Sequence, residues 1–329
     1  MLGLYLTSPR QMELKEFPPA VISEDDQVKI RLIYGGICGS DVSVYHGTVA
    51  HATYPVCPGH ELIGEVVETS SQAKIEVGKR VVVVPNSFCD QCEYCLKGKR
   101  NLCVHKRSLG VNADGVFQQE LVVSCKYVLE VPENLPNEKA VLIEPMAVVV
   151  HALQKVEVKP NTKVAVVGCG TEGMLAIILT HHLGASLTAI DIKAHKLDNV
   201  RRIGNIRTAL PYEVGNEKFD VVIECAGKKE SVEQAVKLVK PGGSLVIVGF
   251  APQATFPVIQ IVRNELSIYG SIIYHFPDDF LQSMQYLATI DFDPKVIISK
   301  VYHFTEYEKA YRDASSGDFG KIILDFRGY

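Results

Sequence analysis

The chain has no uninterrupted apolar run approaching the roughly 18–20 residues a membrane helix needs, which argues against a membrane-spanning protein. It also lacks a basic excess, since 34 Lys and Arg against 38 Asp and Glu leave a formal charge of −4. Nucleic-acid binders carry a clear basic surplus or stripe, so the charge argues against that class too. The opening residues, MLGLYLTSPRQMELKE, have neither the basic start nor the long apolar stretch of a secretory signal. Internal repeats and low-complexity segments are absent as well. The expectation is a soluble, cytoplasmic protein. Its composition, 47% hydrophobic and 22% charged, is that of an ordinary globular chain. Its 329 residues suggest about two domains.

Cysteine is unevenly distributed. Four of the nine, Cys89, Cys92, Cys95 and Cys103, fall within fifteen residues, and the rest are scattered singly. A chain long enough to bury a core has no need of a disulfide framework, so the cluster reads as a metal site. The segment FCDQCEYCLKGKRNLC spaces its thiols as C-x2-C-x2-C-x7-C, and short steps of that kind let a loop wrap a tetrahedral zinc ion. Four thiolates close the coordination sphere, so this zinc would be structural. Lys97, Lys99, Arg100 and Lys106 would partly offset the charge of −2.

The pattern of runs changes near residue 148. Before it, residues 28–37, 63–69 and 80–84, with FQQELVVSC and YVLEVP, are short β-branched runs bounded by Gly, Pro or Asp. They predict an all-β barrel or sandwich. After it, apolar strands at 163–168, 186–191, 219–227 and 244–250 alternate with helices at 174–183, 194–203 and 231–239. Such alternation predicts βαβ units in a doubly wound parallel sheet. The closing strand, 321–326, has no helix after it and is returned to the first domain. The expected division is 1–147 with 292–329, the thiol lobe occupying 86–106, against 148–291.

Two further patterns carry chemistry. Cys38, His60 and Glu144 are one thiol, one imidazole and one carboxylate, a plausible open zinc set with a position left for water or substrate. Singly, each has an ordinary reading as a core thiol, a strand-end histidine or a solvated carboxylate. The run VAVVGCGTEGMLA sets Gly168, Gly170 and Gly173 as G-x-G-x-x-G between an apolar strand and a helix. There Gly168 allows the tight turn, Gly170 the approach of a pyrophosphate and Gly173 close helix–strand packing, while the helix start at Thr171 and Glu172 faces the phosphates. Asp191, eighteen residues past Gly173, would bond the ribose hydroxyls and repel a 2′-phosphate, favouring NAD over NADP. Lys193 and Lys196 soften that preference.

Taken in order, GGICGSD, PGHELIGEVVE, the thiol lobe, IEPMAVVVHAL, the glycine loop with AID, and GKIILDF resemble the zinc-dependent medium-chain dehydrogenases of alcohols and polyols. The resemblance covers essentially the whole length. It implies a GroES-like β-barrel catalytic domain with a zinc lobe, joined to a Rossmann domain. It also implies that Cys38 and His60 bind a catalytic zinc, that Glu61 ligates in some states, and that Glu144 is the ligand of the polyol and threonine branch. Asp41 matches a carboxylate that orients the histidine, Ser40 a hydroxyl that starts a proton relay, and Lys196 a contact to the adenosine ribose. Val248, Gly249 and Phe250 match the backbone beside the nicotinamide. Ser43 stands where many relatives have the histidine that ends the relay, and the substitutes are His46, His51 or bulk water. Tyr45, Tyr54, Ile272 and His275 are candidates for the pocket lining.

The function so implied is hydride transfer between a secondary alcohol (polyol, sugar phosphate or 3-hydroxy amino acid) and NAD, with one catalytic and one structural zinc. The alternatives are an NADPH-dependent carbonyl reductase and a non-catalytic protein that kept the fold. By analogy with relatives, the assembly would be a homodimer or homotetramer. Its partners would be a small-molecule alcohol or ketone, without nucleic acid or membrane.

Overall fold

Alternation of buried and outward residues makes the first sixteen positions an antiparallel hairpin, β1 (Leu2–Ser8) with β2 (Gln11–Glu16), which the run-and-turn signals had not marked. The apolar alternation of QVKIRLIYGGI continues it into the eleven-residue β3 (Gln27–Ile37), with Val28, Ile30 and Leu32 buried. The strands β4 (Glu61–Thr69), β5 (Arg80–Val83), β6 (Glu120–Ser124) and β7 (Val128–Glu130) follow. Between and after them lie helices α1 (Gly39–His46), α2 (Glu93–Leu96), α3 (Asn137–Ala140) and α4 (Ile143–Leu153). The computed structural model describes residues 1–328.

From Lys163 the βαβ alternation appears as anticipated. The order is β8 (Lys163–Val167), α5 (Thr171–His182), β9 (Ser186–Ile190), α6 (Ala194–Arg201), β10 (Arg207–Ala209), β11 (Phe219–Glu224), α7 (Lys229–Leu238), β12 (Val239–Ile247), α8 (Val258–Arg263), β13 (Ser267–Gly270) and α9 (Asp278–Thr289). All six strands are parallel, in the order β10-β9-β8-β11-β12-β13. Val164 to Val167 are all buried, the mark of a strand covered on both faces. The order reverses between β8 and β11, so their carboxyl ends flank the crevice where doubly wound sheets bind ligands.

The chain then returns with β14 (Ile298–His303) and β15 (Lys321–Asp325), joined through α10 (Tyr307–Ser316), to the sheet of β3, from which the β1–β2 hairpin is separate. That sheet runs β14-β15-β3-β4-β5-β7, with β6 also on β3. β3 is its spine: β6 pairs with its first half, β15 with its second, and β4 along its other edge. Leu4, Ile30, Val66, Phe117, Phe304, Tyr311 and Leu324 belong to the core around it. The contacts divide the chain into Met1–Glu144 with the segment from Ile298 onward, and Pro145–Ile297. The edges fall at 144/145 and 297/298, against the anticipated 147/148 and 291/292.

Candidate active site and metal centres

The thiol lobe folds on itself. Cys92 caps α2, and its N–H donates to Cys89 Sγ at 3.3 Å, so the first C-x2-C step closes a small loop. Cys89 Sγ lies 3.9 Å from Cys95 Sγ, and Cys92 Sγ lies 4.0 Å from Cys103 Sγ. Four sulfurs about 2.3 Å from a common centre would be about 3.8 Å apart in a tetrahedron, so the arrangement fits zinc. All four sulfurs lie within 4.8 Å of one another. Backbone N–H groups of Cys95 and Val104 pull the Cys92 thiol down to about 6. Burial pushes Cys95 up to about 12, a thiol that would ionise on meeting a cation. Of the lobe's cations, Lys97 pairs with Glu93 at 2.6 Å and Arg100 with Asp90 at 2.8 Å. Their charges therefore act on neighbouring carboxylates as well as on the thiolates.

A second group forms where strands end. Cys38 follows β3 and His60 precedes β4, and the antiparallel register that sets Gly36 opposite Glu61 brings the two together. Ligand atoms of Cys38, His60 and Glu61 all lie within 4.8 Å of one another. Local sequence supports this geometry: Cys38 is the N-cap of α1, and Asp41 at the third helical position reaches back to accept from the Cys38 N–H at 2.9 Å. The other oxygen of Asp41 lies 3.1 Å from His60 Nδ1, which leaves Nε2 as the free donor atom. Asp41 is buried. Burial opposes a charged His60, but the Asp41 carboxylate outweighs it and holds the imidazole well above its ordinary range. Burial raises the Cys38 thiol. Both groups would exchange a proton for a metal ion. Ser40 is exposed, its Oγ 3.5 Å from His60 Nε2.

Glu61 is held from behind. Both its oxygens accept from Lys321 Nζ, at 2.6 and 2.7 Å, and both residues are almost wholly buried. Lys321 opens β15, whose pairing with β3 sets Ile322 opposite Ile37. Gly36 makes room: a Cβ there would sit 2.1 Å from Glu61 Oε2. Lys321 had no role in the sequence reading, since its partner Glu61 is 260 residues away. Glu144 is the second residue of α4 and buried, and it is not in the group formed by Cys38, His60 and Glu61. Ser43 Oγ donates to the Gly39 carbonyl at 2.9 Å, His46 Nε2 meets Ser315 Oγ at 3.2 Å, and Tyr54 Oη donates to the Val44 carbonyl. His51 is exposed.

In the second unit the glycine loop follows β8 and opens α5 at Thr171, with Glu172 in the first turn. Gly168 takes φ +94°, and a Cβ at Gly173 would collide with the Gly168 carbonyl at 1.8 Å. A Cβ at Gly170 meets nothing within 4 Å, so open space adjoins the helix start, as a bound pyrophosphate requires. Asp191, just past β9, is buried and accepts from the Cys169 N–H at 2.7 Å and the Lys193 N–H at 2.8 Å. It thus braces the loop it was expected to serve only as a ribose acceptor. Each of its oxygens retains a second lone pair for a ribose hydroxyl. Lys196 lies in α6 and Val248 just past β12, its N–H donating to the Glu224 carbonyl at 2.9 Å.

A β domain that carries a thiol–imidazole–carboxylate group and a doubly wound domain with an open glycine cradle, joined in one chain, are the parts of a metal- and dinucleotide-dependent oxidoreductase. Residues 24–133 match the alcohol dehydrogenase GroES-like domain and residues 173–289 the zinc-binding dehydrogenase domain. Sorbitol dehydrogenase of Bacillus subtilis is 30% identical, covering 95% of this chain and 93% of its own. Galactitol-1-phosphate dehydrogenase of Escherichia coli superposes with a TM-score of 0.90 at 28% identity, covering 99% of this chain and all of its own. A dehydrogenase of Sinorhizobium meliloti solved with NADP superposes at 0.91, with 28% identity and 98% of each chain covered. The chain belongs to the zinc-dependent medium-chain alcohol and polyol dehydrogenase family. It is an oxidoreductase whose cofactors are zinc and NAD(P), on the GroES-like and Rossmann fold that the motifs implied. Among the described residues, no helix is long and apolar enough to cross a membrane.

Proposed function

We propose that this enzyme oxidises a secondary alcohol of a polyol, sugar phosphate or 3-hydroxy amino acid to the carbonyl, with NAD as acceptor. The reading rests above all on Cys38, His60 and Glu61 meeting within 4.8 Å beside the exposed hydroxyl of Ser40. Zinc, when bound, would supply Lewis acidity toward the alcohol oxygen, and a bound NAD would supply the hydride acceptor. Cys38 and His60 would hold the metal, with Glu144 as the ligand the family resemblance adds. Asp41 fixes the His60 ring and its tautomer. Lys321 keeps the Glu61 carboxylate drawn back, so that Glu61 is a reserve ligand. Ser40 would accept the alcohol proton as its own hydroxyl proton passes to water. Ser43 and His46 are bonded elsewhere, which supports a relay one residue long.

The adenosine half would lie on Asp191 and Lys196, the pyrophosphate on Gly168, Gly170, Thr171, Glu172 and Gly173, and the nicotinamide beside Val248. A homodimer or homotetramer is supported by β13, which ends the parallel sheet with Tyr269 partly exposed. A cytoplasmic location fits nine cysteines that are all free.

The test is a panel of polyols, sugar phosphates and amino alcohols, with NAD and NADP offered separately to zinc-reconstituted protein. One class should reduce NAD faster than NADP. A faster rate with NADP would favour the reductase reading. Full turnover by folded protein stripped of metal would sink the mechanism.

A further inference from the structure

The two halves of a doubly wound sheet each receive one mononucleotide of a dinucleotide. With Asp191 at the end of β9 serving the adenosine half, the nicotinamide half falls to the carboxyl ends of β11 and β12. The loops there, residues 225–228 and 248–250, converge on one side chain.

Glu224, the last residue of β11, is fully buried. Its Oε1 accepts from the Ala226 N–H at 2.9 Å, the Gly227 N–H at 2.9 Å and the Ser231 hydroxyl at 2.7 Å. Its backbone carbonyl accepts from the N–H groups of Val248 at 2.9 Å and Gly249 at 3.1 Å. One residue therefore fixes both loops and, through Ser231, the start of α7. The loops press together over it without side chains between them: a Cβ at Gly249 would lie 2.3 Å from the Gly227 nitrogen and 2.7 Å from Glu224 Oε2. That Oε2 is buried and has no hydrogen-bond partner. Keeping a polar oxygen unpaired in a sheet interior is costly, and an apolar residue would pack there more cheaply. Burial also raises the Glu224 carboxyl, a further sign that the site is unfavourable for the charge. The three bonds to Oε1 are what the glutamate supplies and an apolar residue could not.

We propose that Glu224 is a positioning residue for the nicotinamide half of the dinucleotide, setting the two loops that receive it without touching the cofactor's reacting atoms. The inference rests on the dinucleotide reading above. Calorimetric titration of wild type with NAD and with ADP-ribose, which has the adenosine and pyrophosphate but no nicotinamide, tests that reading first. If wild type binds neither, the dinucleotide reading fails, and this inference with it. If it binds both, Glu224→Ala should weaken NAD about ten- to hundredfold and ADP-ribose by no more than about threefold. Glu224→Gln, whose carbonyl can still accept from Ala226, Gly227 and Ser231, should recover most of the NAD affinity. Ser231→Ala removes one bond outside the strand and should show the same selectivity on a smaller scale, even if Glu224→Ala fails to fold. Equal losses for both ligands, or none in either variant, would overturn the proposal.

Discussion

The two candidate metal centres use thiol chemistry in opposite ways. In the lobe, four candidate ligands come from fifteen consecutive residues, and their sulfurs lie within 4.8 Å of one another through one short helix and its flanking turns. At the open site, Cys38 and His60 are far apart in sequence and meet because β3 and β4 pair with Gly36 opposite Glu61. There the surrounding shell is as specific as the ligands: Asp41 braces His60, and Lys321, from the end of the chain, restrains Glu61. A closed site can be written into a loop, whereas an open site has to be assembled by a sheet.

The contrast implies separable failures. Cys38→Ala should lower kcat at least about a thousandfold, because the metal's polarisation is worth several kcal/mol, while the unfolding temperature changes little. Metal analysis should then find one zinc per chain where the native enzyme has two. Cys103→Ala should do the reverse, lowering Tm on the order of 10 °C while the folded fraction keeps its turnover. If the lobe variant lost activity at an unchanged Tm, the division into structural and catalytic centres would be wrong.

The Lys321–Glu61 pair sharpens the comparison, since it is wholly buried, whereas the lobe's pairs Lys97–Glu93 and Arg100–Asp90 are exposed. Lys321→Met leaves a carboxylate alone in the interior, and breaking a buried pair of this kind costs about 3–5 kcal/mol. Denaturant unfolding of the metal-free protein should show that loss. The double change Lys321→Met with Glu61→Met should recover most of it, because removing both charges is often close to neutral. If the double variant were no more stable than the single one, the pairing itself would not be what stabilises this corner.

What could be read from the sequence follows the same division. The lobe, the glycine loop and the parallel strands β8, β9 and β11 are local patterns, and spacing or an apolar run announces each. Residue types alone offered Cys38, His60 and a carboxylate as an open zinc set, but their meeting depends on the register of two strands, and before the structure only the resemblance to a known family joined them. Lys321 and Glu224 were not legible because nothing beside them in sequence marks them: their partners are 260 residues away in one case and backbone N–H groups in the other. Asp191 was read for half of its role. Its position at a strand end suggested a ribose, but its bond to the Cys169 N–H depends on how the glycine loop turns.

Where Asp41 braces His60 at the open site, backbone N–H groups reach the thiols of the lobe. Asp41→Asn keeps the shape but weakens the hold on the His60 ring, and changes of this sort cost about 10–100-fold in metal affinity or activity. Competition with a chelator should show weaker zinc binding at one site per chain and an unaltered second site. A change at both sites would mean that the two centres are coupled.

The smallest effect should come from the lobe's surface. Lys97 and Glu93 pair at 2.6 Å, four residues apart, with both side chains well exposed. A pair of that kind adds at most about 0.5 kcal/mol and is screened by salt. Helix α2 has only four residues, too few to persist alone, so its stability has to come from the ligands that bracket it. Lys97→Ala should therefore shift Tm by no more than about 2 °C, by less still at high salt, and leave zinc occupancy intact. A larger shift that survives high salt would mean that packing of the lysine stem, rather than the metal, sets the lobe's stability, and the two centres would then differ less than their ligands suggest.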